Sequence, residues 1–170
     1  MNLILIGMPG VGKSTIGVLL AKALGRSFID TDLIIQTEQQ RKLCDILDES
    51  GAEEFKRIEN GVLENVETDG AVIATGGSAV FCESGMRKLR KNGVTVYLRL
   101  PLAELEKRLG NITTRGVVMR SGETLADLER LRAPLYEKYA DVTIDEAGDA
   151  ESTVEAVLDA VGKIAPTEFA

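Results

Sequence analysis

The sequence predicts an α/β domain built on a mostly parallel sheet, and three observations predict it. Short apolar runs recur along the 170 residues: Leu3 to Ile6, Phe28-Ile29, Ala71 to Ala74, Val94 to Leu98 and Val142 to Ile144. Helical patterning separates these runs and no hairpin signal joins any two of them, which is the alternation of a parallel sheet covered on both faces. The first run ends in Gly7-Met8-Pro9-Gly10-Val11-Gly12-Lys13-Ser14-Thr15, the pattern G-x-x-x-x-G-K-[ST] between a strand and a helix. Glycines there let the backbone bend tightly and turn successive N–H groups inward, while the helix offers its positive end to a phosphate. Gly10, Val11, Gly12, Lys13, Ser14 and Thr15 are therefore expected to hold a nucleoside triphosphate. Lys13 supplies a point charge for the terminal phosphates and the Ser14 hydroxyl a ligand for Mg²⁺.

The helix after this loop is marked by Ile16, Leu19, Leu20, Ala23 and Leu24. Between Leu33 and Thr68 no strand signal appears, only helical patterning with Gly51 as a break. Residues 33–68 are expected to form a helical subdomain that binds a second substrate. Its last helix sets Phe55, Ile58, Val62 and Val66 on an apolar face and leaves Lys56 and Glu59 together on a neighbouring one. Leu102 and Leu105 belong to a helix that ends near Arg108. Residues 110–123 contain Gly116, Gly122, Arg115 and Arg120 with little periodicity, and a loop of that length in a compact domain points to a mobile lid. Leu125, Leu128, Leu131 and Leu135 mark the next helix, and Val154, Val157, Leu158 and Val161 the last.

Composition narrows the function classes. With 170 residues and 44% hydrophobic content the chain is expected to fold as one domain with a sizeable core. A net charge of −7 argues against a nucleic-acid surface, because phosphate backbones select basic faces. No apolar run approaches a membrane span, and the first run lacks the basic flank of a signal peptide, so a cytoplasmic location is expected. Cys44 and Cys82 have no metal-ligand spacing and read as reduced thiols. There is no histidine, so a general base must be a carboxylate, lysine or tyrosine.

Ligands of parallel sheets collect at the carboxyl ends of the strands, and three such ends carry suggestive residues. They are the phosphate loop, Asp30-Thr31-Asp32 and Gly76-Gly77-Ser78. Phosphoryl transfer needs one carboxylate for the metal shell and one to orient the attacking hydroxyl and take its proton. Asp30 and Asp32 are the candidates, although an aspartate before a helix is also a favoured N-cap. An extended backbone sends the two to opposite sides, so a turn is required to aim both at the loop. Gly76 and Gly77 are either the turn leaving a buried strand or a source of N–H groups for an anionic substrate. An arginine in the lid, Arg115 or Arg120, either brings its donor fork over the transferring phosphate or is a solvated loop residue. Arg108 either stacks on the nucleotide base or sits exposed at a helix C-terminus. Pro134, two residues after Arg132, falls inside a helical pattern at a cost of about 3 kcal/mol or more, so a kink that aims Arg132 is expected, with packing as the other explanation.

This set resembles the shikimate kinases, small P-loop enzymes of the nucleoside monophosphate kinase structural group, and the resemblance runs from Asn2 to about Asp145. Their D-T-D or D-S-D, F-R-x-x-E, G-G-G turn, lid arginine and R-x-P-x-Y stand here as Asp30-Thr31-Asp32, Phe55-Lys56-Arg57-Ile58-Glu59, Gly76-Gly77-Ser78, Arg115 and Arg132-Ala133-Pro134-Leu135-Tyr136. The resemblance implies a three-layer α/β/α fold with a five-stranded parallel sheet. It also implies ATP-dependent phosphorylation of shikimate by a monomer whose partners are ATP and a small acceptor, with neither nucleic acid nor membrane. Mg²⁺ would be held by Ser14 and Asp30. Asp32 would bind the acceptor hydroxyls and act as base, with Lys13 and Arg115 as the other catalytic groups. Gly76, Gly77, Arg132 and Lys56 or Arg57 would hold the acceptor, and Arg108 would lie near the adenine. Three departures fall on the acceptor or lid side. Lys56 replaces an arginine and so loses the planar fork, Ser78 replaces a glycine, and Gly116-Val117-Val118 follows the lid arginine. The residues therefore leave open a kinase for another small acceptor (a sugar acid, a nucleoside or a nucleotide) and a nucleotide-binding regulatory module without turnover.

Overall fold

The apolar runs become five strands of one sheet: β1 (Asn2–Ile6), β2 (Phe28–Asp30), β3 (Val72–Ala74), β4 (Gly93–Arg99) and β5 (Val142–Asp145). The computed structural model describes residues 1–109, 123–145 and 149–169. The strand order is β2-β3-β1-β4-β5 and every neighbouring pair is parallel. β1 lies at the centre with all five residues buried, as a continuous apolar run between two covered faces requires.

Seven helices join the strands among the described residues: α1 (Lys13–Leu24), α2 (Thr31–Gln39), α3 (Leu43–Asn65), α4 (Glu83–Arg90), α5 (Leu102–Arg108), α6 (Leu125–Tyr139) and α7 (Ala150–Ile164). Parallel crossovers are right-handed, so the connection running outward from β1 to β2 puts α1 on one face. The connections running the other way put α3, α4 and α6 on the opposite face. α7 returns to pack on α1, and α4 packs on α3.

The helical segment expected after β2 begins earlier than residue 33, at Thr31, because Asp30 caps α2. α2 and α3 bury a small core of their own from Ile35, Ile46, Phe55 and Val62. Gly51 does break the helical run: it sits at φ 78°, ψ 168°, inside α3. α6, by contrast, runs continuously through Pro134.

The register fixes the position of the site. Leu5 and Asp30 both pair with Ala74, so β1, β2 and β3 end on one line across the sheet. The segments that leave those ends are the three that the sequence singles out.

Candidate active site

The phosphate loop leaves β1 and returns into α1 through glycines whose backbones require their type. Gly10 (φ 80°) and Gly12 (φ 108°) are in left-handed conformations that other residues rarely adopt, and Gly12 is the N-cap of α1. Lys13 is buried, and its Nζ donates to the Gly7 carbonyl at 2.8 Å and the Met8 carbonyl at 2.9 Å. Burial pulls its pKa down to about 8, against the opposing pull of Asp32.

Asp30 ends β2 and serves two partners. Its Oδ1 accepts the Asp32 N–H at 3.0 Å as the cap of α2, and its Oδ2 accepts the Ser14 hydroxyl at 2.6 Å. The two readings of this residue, cap and metal-shell oxygen, are compatible in one side chain. Asp32 lies in the first turn of α2 rather than on the strand, so the helix start supplies the turn that brings both carboxylates round to the loop. Burial, reinforced by the nearby Asp30, raises Asp32 to about 6, while Lys13 acts the other way.

The turn after β3 is short of space. A side chain at Gly76 would collide with Glu59 Oε1 and Asp32 Oδ1, and one at Gly77 would collide with Pro9 and crowd the Arg132 guanidinium. The Gly76 N–H donates to Thr31 Oγ1 at 3.2 Å, so it is not the free donor for which it was a candidate. The Gly77 N–H is bonded to no described residue, and the Gly77 carbonyl accepts the Tyr136 hydroxyl at 2.6 Å. Tyr136 in turn stacks on Tyr97 of β4, with ring centroids 5.0 Å apart. α6 is thereby fastened to both the turn and the sheet, and Arg132, one helical turn before Tyr136, is 1% exposed.

Together these groups surround a cleft of about 510 Å³ lined by the loop, Asp32, Phe55, Gly76, Gly77, Ser78, Arg108 and Arg132. Arg108 also donates to the Val11 carbonyl at 3.0 Å and lines a smaller cavity of about 280 Å³ with Thr15, Ile16, Asp149 and Ala150. It therefore stands between the phosphate loop and a second space beside it. Arg115 and Arg120 lie outside the described residues.

Lys56 and Arg57 separate. Lys56 Nζ bonds Glu53 at 2.9 Å and lies 5.3 Å from the centre of the Phe81 ring, which Arg132 also faces at 5.7 Å. Arg57 is the correction: its side chain is 78% exposed and pairs with Glu54 at 2.6 Å, so it does not reach the cleft. One residue along a helix is a rotation of about 100°, and the helix has not turned to compensate.

Glu59 is the site residue that was missing from the candidates. It is 1% exposed, its Oε2 accepts the Ser78 hydroxyl at 2.6 Å, and its Oε1 has no hydrogen-bond partner among the described residues. Burial pushes it up to about 7 against the pull of Ser78. The sequence set Glu59 with Lys56 on the face beside the Phe55 stripe, and the structure instead buries it with Phe55.

A family model described as shikimate kinase matches residues 9–162 of this chain. Shikimate kinase 2 of Serratia proteamaculans is 34% identical over 169 residues, covering 94% of this chain and 95% of that one. A shikimate kinase of Pseudomonas paraeruginosa is 37% identical, covering 97% and 98%. Among solved structures, shikimate kinase from Acinetobacter baumannii in complex with shikimate superposes with a TM-score of 0.86 at 29% identity, over 96% of this chain and 94% of that one.

Proposed function

The chain belongs to the shikimate kinase family, an ATP-dependent kinase of aromatic amino acid biosynthesis that phosphorylates shikimate, and from that premise we propose how its residues divide the work. The observation that carries the division is the convergence of Lys13, Asp32, Gly77 and Arg132 on one cleft at the carboxyl edge of the sheet, with the buried Glu59 behind Gly76.

The loop from Gly10 to Thr15 and the Lys13 ammonium hold the ATP phosphates, and Arg108 borders the base. Ser14 and Asp30 hold Mg²⁺. Their oxygens already lie 2.6 Å apart, both are hard donors, and Mg²⁺ characteristically takes one or two protein oxygens with the rest from phosphate and water. When bound, the ion neutralises charge on the phosphates. Arg132 and Lys56, which flank Phe81, face the acceptor carboxylate, and the Gly77 N–H is a further donor to it. Asp32 accepts the proton of the acceptor hydroxyl as that oxygen forms its bond to the γ-phosphorus and the bond to the β-phosphate oxygen breaks, releasing ADP. With a pKa of about 6, Asp32 is largely ionised at neutral pH yet basic enough to take the proton. Arg115, in the 110–123 lid, covers the moving charge. The product is shikimate 3-phosphate.

The enzyme acts as a cytoplasmic monomer without nucleic-acid or membrane partners. Its charge of −7 supports the absence of a nucleic-acid partner. A nucleoside acceptor is disfavoured because the helical subdomain, residues 33–68, offers a single aromatic, Phe55, which is buried.

The test of the mechanism is Asp32→Asn. Turnover with shikimate falls at least about 10²-fold, the usual scale of a general base, while ATP binding measured by calorimetry is retained. Turnover near the wild-type value would remove Asp32 from the role of base.

A further inference from the structure

Neighbouring residues of the phosphate loop are held by different means. Pro9 rests on the turn after β3, where a side chain at Gly77 would meet its Cγ and Cδ at 2.8 Å. Val11 is fully buried, its N–H donates to the Met8 carbonyl at 3.3 Å, and its carbonyl accepts from Arg108 at 3.0 Å. Gly10, between them, lines the cleft and makes no hydrogen bond to a described residue through either its N–H or its carbonyl. As a glycine it also has the most backbone freedom to lose when the loop orders.

What meets Gly10 is Leu109, at the end of α5. The three atoms nearest to the place of a Gly10 side chain are Leu109 Cγ, Cδ2 and Cδ1, at 2.7, 2.8 and 3.2 Å. Leu109 is well anchored: it is 1% exposed within the main core, and its N–H donates at 2.9 Å to the carbonyl of Leu105, itself fully buried. A Cβ at position 10 would push Leu109 away, so its absence is what lets a fixed core residue touch the backbone of the loop.

We propose that Leu109 is a positioning residue for the nucleotide: its side chain supports Gly10 from the core and holds the phosphate loop in its binding shape before the phosphates arrive. The proposal rests on the loop being the phosphate site. A loop already shaped has less conformational entropy to lose on binding, which is how a contact that never touches the ligand raises affinity. Leu109 lines neither the cleft nor the smaller cavity beside it, so trimming its side chain takes no contact from the nucleotide. The effect falls on nucleotide affinity and on the motion of the loop, and acceptor affinity is left as it was.

MgADP affinity is measured by calorimetry, and amide hydrogen exchange of residues 7–16 is followed with and without MgADP. The proteins are the wild type, Leu109→Ala, Leu109→Val, Leu109→Met and, as a control for a core truncation elsewhere, Leu89→Ala in α4, where Leu89 is 3% exposed in the same core. Leu109→Ala weakens MgADP binding about tenfold, the scale of one more residue to be ordered, and Leu109→Val falls between it and the wild type. Leu109→Met keeps the volume and stays near the wild type. Without nucleotide the loop exchanges faster in Leu109→Ala than in the wild type, and MgADP restores its protection. KM for ATP follows the affinity, while shikimate binding without nucleotide changes less than about twofold. Leu89→Ala lowers the melting temperature and moves none of these readings. Wild-type MgADP affinity and loop exchange in both Leu109→Ala and Leu109→Val overturn the proposal and leave Leu109 a core residue only. Equal weakening of shikimate and MgADP also overturns it, because the loosening is then general. Absence of MgADP binding by the wild type overturns the phosphate site itself and the proposal with it.

Discussion

Glu59 shows how a single buried side chain ties stability to pH. It is an acid whose folded pKa, about 7, lies above its ordinary value of 4.5. Between those values the folded state holds a proton that the unfolded chain has released. The folded state therefore loses relative stability as pH rises from 4.5 to 7, and the full cost is present above 7. For a shift of this size the cost is on the order of 3 kcal/mol. Glu59→Gln, isosteric with the protonated acid, is expected to unfold at higher urea than the wild type at pH 8 and to show little of that advantage at pH 5. An advantage of equal size at both pH values would mean that Glu59 is not strained by ionisation. The same residue marks a limit of sequence reasoning. A glutamate on a charged helix reads as solvated, and its burial depends on the approach of Ser78 and Gly76, which no local pattern reveals. Lys56 and Arg57 teach the same point, since one helical step decides which cation meets Phe81 and which meets solvent.

At the scale of elements, α6 shows how a packed helix places a group in the cleft. α6 is fixed, with Tyr136 bonded to the Gly77 carbonyl and stacked on Tyr97, so packing holds the helix that carries Arg132. Pro134 withholds an N–H from the Arg130 carbonyl, and both residues are on the exposed side, where the loss is cheapest. For Arg115 the proposed task is the opposite one, meeting charge that develops only during transfer. Arg115→Ala is expected to lower kcat by at least about tenfold and leave KM for shikimate nearly unchanged. An effect confined to KM for shikimate would assign Arg115 to the acceptor instead. β1, β3 and β4 were legible because burial on both faces writes them as mostly apolar runs, while β2 and β5, at the sheet edges, are only partly buried and left shorter signals. α4 was the faintest helix, with Met86 and Leu89 the only large apolar residues in a charged stretch.

For the molecule as a whole, the sheet does most of the assembly. Once β1, β2 and β3 end in register, the phosphate loop, the two aspartates and the glycine turn must meet, whatever the details of their side chains. That is why the groups proposed for the donor half stand in motifs: they are backbone amides, glycines and residues one or two positions from a strand end. The acceptor half is built from α3, α6 and the turn, whose side chains meet across long separations in the chain, and Ser78 and Lys56 fall there. The central claim is accordingly about the acceptor, and coupled ADP release by the purified protein tests it most directly. With ATP and Mg²⁺, shikimate is expected to stimulate ADP release at least about a hundredfold over its absence, while gluconate and nucleosides leave the background rate. No stimulation by shikimate, or equal stimulation by gluconate or a nucleoside, would contradict the account.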